Sequence, residues 1–147
     1  MRNTRQKTNA GFTLVELMAV LLIIALIAGL ATKSFMSATD KAKVTKAQAD
    51  LKTLQAAVNM FKLDTGRYPT EEMGLIELVE EPADVENWNP EGYLDSTEVP
   101  RDPWKSDYVY LLNPESGKPF VIISYGSDGK EGGEGDAFDL YSTDTVD

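Results

Sequence analysis

The sequence predicts an α+β protein. A long N-terminal α-helix, apolar in its first half, packs by its second half on a small antiparallel β-sheet followed by an acidic, glycine-rich loop. Three observations predict it. Residues 1–68 contain no proline and carry an apolar run that passes directly into an apolar stripe. Two β-rich segments, 108–112 and 120–124, flank the turn-forming cluster Asn113-Pro-Glu-Ser-Gly-Lys-Pro119. Five glycines and several carboxylates then crowd residues 124–139.

The helix begins with a basic stretch, Arg2, Arg5 and Lys7, ahead of apolar residues, which is the layout of an export signal. Leu17 to Thr32 is sixteen residues without a charge, and Phe12 to Thr32 is twenty-one with one, Glu16. At 1.5 Å per residue the latter spans roughly 32 Å, about one bilayer core. An Ala-x-Ala cleavage site is missing at its far end, so the apolar run is expected to be retained. From Lys33 the chain becomes amphipathic: Val44, Ala47, Leu51, Leu54, Val58 and Phe61 recur at spacings of three and four. This stripe is read as helix-to-sheet core, because it is too short for a coiled-coil seam. Gly66 after Asp64-Thr65 is a C-cap, so one helix from about Phe12 to Asp64 is expected, with Gly29 the place for bending or local melting.

Beyond the helix, Arg67-Tyr68-Pro69-Thr70 opens a loop-rich section that holds all seven prolines. Tyr68-Pro69 and Pro103-Trp104 are read as packing and turn residues. Glu71–Glu80 reads as a short helix, with Leu75, Ile76, Leu78 and Val79 apolar. The strand candidates 108–112 and 120–124 form a hairpin, and the polar tail Tyr141–Asp147 is expected to fray.

Composition narrows the functions. The formal charge is −10, with no His and no Cys. Disulfides and thiolate chemistry are thereby excluded, and the commonest general base is missing. From Glu71 onward twenty acidic residues face four basic ones. Such a head repels nucleic acid, which demands clustered Lys and Arg. Hard cations are the ligands it can hold. The stretch Ser124–Asp139 offers the oxygen-rich set that Ca²⁺ takes, six to eight ligands from carboxylates and carbonyls. It is equally the composition of a solvated turn. It is not an EF-hand, because Lys130 and Gly132 stand where that loop needs oxygen side chains.

Gly11-Phe12-Thr13-Leu14-Val15-Glu16, behind a basic leader and ahead of an apolar helix, resembles the type IV prepilin signal. Phe61-Lys-Leu-Asp64, Gly66-Arg-Tyr-Pro-Thr70, Gly74-Leu75, Asp102-Pro-Trp104, Tyr108-Val-Tyr110, Gly126-Ser-Asp-Gly129 and Gly132-Gly133 are similar to the major pseudopilin family of type II secretion systems (the GspG type). The resemblance covers essentially the whole chain and implies a type IV pilin-like fold. It divides the chain into a leader cleaved after Gly11 (1–11), a transmembrane and filament-core helix (12–33) and a periplasmic head (34–147). The head comprises helix 34–65, loop region 66–107, and hairpin and calcium loop 108–140.

The resemblance also implies a fate. A prepilin peptidase and methyltransferase cuts after Gly11 and methylates the amine of Phe12. The single-pass protein waits in the bacterial inner membrane, head in the periplasm. It then enters a helical homopolymer, the periplasmic pseudopilus, with minor pseudopilins and an inner-membrane assembly platform as partners. The family role is structural, driving protein export across the outer membrane, and not enzymatic. Glu16 is implied to meet the Phe12 amine of a neighbouring subunit, because a carboxylate in an apolar bundle is costly unless paired. One structural Ca²⁺ is implied in the glycine loop, held by the side chains of Asp128, Asp136 and Asp139 and the carbonyls of Tyr125, Lys130 and Gly133. The chain departs from the family where Asp136-Ala-Phe-Asp139-Leu replaces the usual Asp-Asp-Ile or Asp-Ala-Asp-Ile, and where Lys33 replaces a helix-kinking Pro. A type IV pilin or competence pseudopilin is the alternative within this superfamily, which the absence of Cys disfavours. A membrane-anchored periplasmic enzyme is the alternative outside it.

Overall fold

The computed structural model describes residues 13–144, with the backbone alone at 30–38 and 136. The chain divides into two compact units, residues 1–39 and 40–147. Helix α1 (Leu14–Thr65) contributes to both and is continuous through Gly29, where a bend or local melting is expected from the sequence.

In the N-terminal unit the large apolar side chains Leu14, Val15, Leu17, Met18, Val20, Leu21, Leu22, Ile23, Ile24, Leu26 and Ile27 are all exposed. Apolar surface of this extent and all-round distribution is what lipid or neighbouring helices cover. Among the described residues no helix is long and apolar enough to cross a membrane. The expected segment 12–33 runs past the described side chains at both ends, at Phe12 and beyond Gly29.

In the second unit the expected stripe is the core. Ala47, Leu51, Leu54, Val58 and Phe61 are buried together with Leu75, Leu78, Tyr108, Phe120, Ile122 and Leu140. Each fully buried large apolar side chain contributes roughly 1.5–3 kcal/mol, so this stripe holds the head on the helix. Gly66 ends the helix as expected, at φ +83° with its N–H donating to the Lys62 carbonyl at 2.9 Å.

The sheet has three strands, β1 (Val109–Leu112), β2 (Phe120–Ser124) and β3 (Leu140–Tyr141), in the order β1-β2-β3 and all antiparallel. Val109 faces Ile123 and Leu112 faces Phe120 in the hairpin, which the Asn113 N–H closes onto the Pro119 carbonyl at 2.8 Å. Every residue of the central β2 is buried, with Phe120 and Ile122 in the core shared with α1.

Two expectations are corrected. Glu71–Glu80 is no α-helix but a turn followed by a 3₁₀ helix, Gly74–Leu78, because Gly74 sits at φ +56° and interrupts α geometry. Tyr141 does not fray: it pairs with Ile123, and the next residue, Ser142, is buried. The Ser142 N–H donates to the Ile122 carbonyl at 2.8 Å and its Oγ accepts from the Ile122 N–H at 3.0 Å. A polar tail residue thereby completes the edge of the sheet.

Candidate functional site: the helix start and the acidic loop

Gly11 and Phe12 lie outside the described residues. Among the described residues, which begin at Thr13, Glu16 has a partner within its own chain. The Glu16 carboxylate accepts from the Thr13 N–H at 3.1 Å and from the Thr13 hydroxyl at 3.3 Å. The Thr13 hydroxyl in turn accepts from the Glu16 N–H at 3.2 Å. This is a reciprocal capping box, and it satisfies backbone donors that the first helical turn leaves open. Thr13-x-x-Glu16 is the capping-box pattern, a local signal for this role beside the assembly role that the resemblance implies. A second carboxylate oxygen, Oε1, takes no part in the box.

The acidic loop is built from two short 3₁₀ turns, Gly126–Asp128 and Gly135–Ala137, which pack on each other. Half-buried Tyr125 precedes the first turn. Asp128 is exposed, and its Oδ1 accepts from the Lys130 N–H at 3.1 Å, a local Asx turn. Lys130 is exposed. Gly133 sits at φ +107°, and a Cβ there would lie 2.3 Å from the Ala137 carbonyl oxygen. Only glycine allows the two arms to approach so closely. Asp136 falls in the second turn, with its side chain outside the described atoms.

Asp139 is the buried carboxylate of the loop, 5 % exposed. Its Oδ2 accepts from the Gly132 N–H at 2.9 Å and the Tyr141 hydroxyl at 3.3 Å. Its Oδ1 is buried with no hydrogen-bond partner. Burial, and then the Asp139 charge, raise the Tyr141 phenol above its ordinary pKa. An orphaned buried carboxylate oxygen costs several kcal/mol unless something positive meets it. Among the described residues no three His, Cys, Asp or Glu side chains form a ready metal cluster; the Asp136 carboxylate is not among them. The donors present are hard oxygens, and the Asp139 Oδ1 orphan fits a hard cation such as Ca²⁺.

A helix-start motif, an apolar helix and a small sheet closed by a glycine loop together define a class, the pilin-like subunits. In keeping with this, residues 6–32 match the prokaryotic N-terminal methylation motif. Residues 34–143 match the family described as type II secretion system (T2SS), protein G, and the chain belongs to that family. It is similar to the type II secretion system core protein G of Pseudomonas aeruginosa, 41 % identical over 143 residues that cover 95 % of this chain and 99 % of the relative. Core protein G of Vibrio cholerae is 37 % identical over 95 % of this chain and 94 % of the relative. That of Escherichia coli K12 is 42 % identical over 86 % and 87 %. The crystal structure of the major pseudopilin from the type 2 secretion system of enterohaemorrhagic Escherichia coli superposes with a TM-score of 0.61. It is 36 % identical and covers 72 % of this chain and 87 % of that one. The family is one of structural pseudopilin subunits and not of enzymes.

Proposed function

We propose that the protein is the major pseudopilin of a type II secretion system. It is cut after Gly11, methylated at Phe12 and held in the inner membrane with its head in the periplasm. It is then polymerised with copies of itself, and with minor pseudopilins at an inner-membrane assembly platform, into the pseudopilus that drives export across the outer membrane. The observation that carries this reading is the methylation motif at residues 6–32 joined in one chain to a protein G head at 34–143. The exposed apolar first half of α1 supports it, since a bundle of such helices buries what one chain leaves open. Intact mass of membrane-extracted protein tests it: loss of residues 1–11 with gain of one methyl group is expected, and an intact leader overturns it.

Within the filament, Glu16 pairs with the Phe12 amine of a neighbouring subunit. The Glu16 Oε1, outside the capping box, supports this role. The head carries one structural Ca²⁺, held by the side chains of Asp128, Asp136 and Asp139 and the carbonyls of Tyr125, Lys130 and Gly133. The partnerless buried Oδ1 of Asp139 supports the ion, as does the close approach of the two arms at Gly133. At a hundredfold excess over its dissociation constant such an ion stabilises the fold by about 2.7 kcal/mol. Chelation is therefore expected to lower the melting temperature and the protease resistance of the head. Unchanged values after chelation sink the calcium reading.

A further inference from the structure

Asp102 is a carboxylate 4 % exposed in the loop region, and none of the ion pairs among the described residues includes it. Its Oδ1 accepts from the Trp104 N–H at 3.0 Å and the Ser106 N–H at 2.8 Å. The backbone closes the same turn, with the Asp102 N–H donating to the Ser106 carbonyl at 2.9 Å. The other oxygen reaches across the fold. Asp102 Oδ2 accepts from the Ser124 hydroxyl at 2.7 Å, and that Ser124 Oγ accepts from the Gly126 N–H at 3.4 Å. Ser124 is fully buried at the end of β2, immediately before the acidic loop. On the far side of Asp128 the same turn lies close by: a Cβ on Gly129 would stand 3.4 Å from Ser106 Oγ. The arm Gly126–Asp128 is thus tied at its start, through Ser124, to the turn 102–106.

A buried charge held by neutral donors alone is costly to keep. An arm of one buried glycine followed by exposed serine and aspartate has little apolar content with which to order itself. We infer that Asp102, acting through Ser124, is a positioning residue for the ion-binding loop. It fixes the Asp128 arm before the cation arrives, so that binding need not order it. This inference rests on the calcium reading given above and extends it to residues that touch no ion. Groups that orient metal ligands typically change affinity by about 10–100-fold when removed.

The test is calorimetric titration of Ca²⁺ into the full chain in detergent micelles, with thermal unfolding of the calcium-free protein measured alongside. Ser124→Ala leaves the 102–106 turn closed but cuts its tie to the loop, and about a tenfold weaker affinity is expected. Asp102→Ala is expected to weaken binding at least as much. The double variant should bind no more weakly than Asp102→Ala, because both changes break one link. Unchanged affinity in Ser124→Ala, or losses that add in the double variant, overturns the inference while leaving the calcium reading intact. A lowered calcium-free melting temperature with unaltered affinity does the same, since it marks a merely structural turn. If Asp102→Ala fails to fold, Ser124→Ala decides the matter alone. If the unsubstituted chain takes up no Ca²⁺, the calcium reading fails and the inference falls with it.

Discussion

Gly133 and Glu77 show how much a single residue's context decides. Gly132-Gly133 reads in the sequence as turn chemistry, but the reason for glycine at 133 is tertiary: φ is +107° and a Cβ would press into the Ala137 carbonyl at 2.3 Å. Gly133→Ala should destabilise the head by about 1–3 kcal/mol through backbone strain alone, read as a lower urea midpoint at unchanged slope. A wild-type midpoint would contradict the close approach. Glu77 was not legible as a core residue. An acid among Glu71, Glu72 and Glu80 looks like one more solvated charge, whereas it is fully buried. Its carboxylate accepts from Arg67 Nη1 at 2.6 Å and from the Thr70 N–H at 3.0 Å. Arg67 is ten positions away in sequence and over the Phe61 ring, and no local pattern announces that pairing. Arg67→Ala strands the buried carboxylate and should cost about 3 kcal/mol. Arg67→Ala/Glu77→Gln should lose less, because no unpaired charge remains. Equal losses in denaturant unfolding would remove the charge argument.

At the scale of elements, the helix and hairpin were legible because their signals are local. Spacings of three and four gave the stripe from Ala47 to Phe61, and a proline- and glycine-bounded turn separated two β-rich runs. β3 was not, because two residues are too few to show alternation and its pairing with Ile123 and Ser124 is long-range. The sheet and helix meet at Tyr108, whose hydroxyl donates to Asp50 Oδ2 at 3.2 Å, while the Tyr110 hydroxyl donates to the Pro69 carbonyl at 3.1 Å. Burial first, and then the Asp50 carboxylate, push the Tyr108 phenol far above its ordinary value. Burial first, and then Glu77, do the same at Tyr110. The folded state therefore keeps both phenols protonated where the unfolded chain releases those protons, at about pH 10. Their contribution to stability is complete below that pH and is lost as pH rises through and beyond it. The urea midpoint should fall steeply between pH 9 and 11.5 (roughly the span around the unfolded phenol pKa). Tyr108→Phe and Tyr110→Phe should each flatten the fall, at a cost of about 1 kcal/mol at neutral pH for the lost hydrogen bond. A slope that neither substitution changes would assign the alkaline loss elsewhere.

The whole molecule joins an exposed apolar helix to an acidic head, and Glu16 stands in the first turn of that helix. Its charge was legible as an anomaly in an apolar run, and its capping use is written in the Thr13-x-x-Glu16 spacing, which the structure closes into a reciprocal box. One carboxylate thus has an observed role, a cap within the chain, and a proposed one, an ion pair between chains, and they can be separated. Gln at this position can still serve the capping box but carries no charge. Thr13→Ala removes the hydroxyl of the box, worth about 1 kcal/mol locally, and leaves the charge untouched. Glu16→Gln should therefore be cleaved and methylated normally, with the helix start intact, yet fail to join filaments. Thr13→Ala should be processed and should assemble, at most with a frayed first turn. Cross-linked filament ladders from envelopes that express each variant, with intact mass as the processing control, provide the measurement. Glu16→Gln assembling as the unsubstituted chain does would leave capping as the whole reason for the carboxylate. A cost without compensation would then return, because an ionised side chain among apolar helices is retained only where a counter-charge meets it.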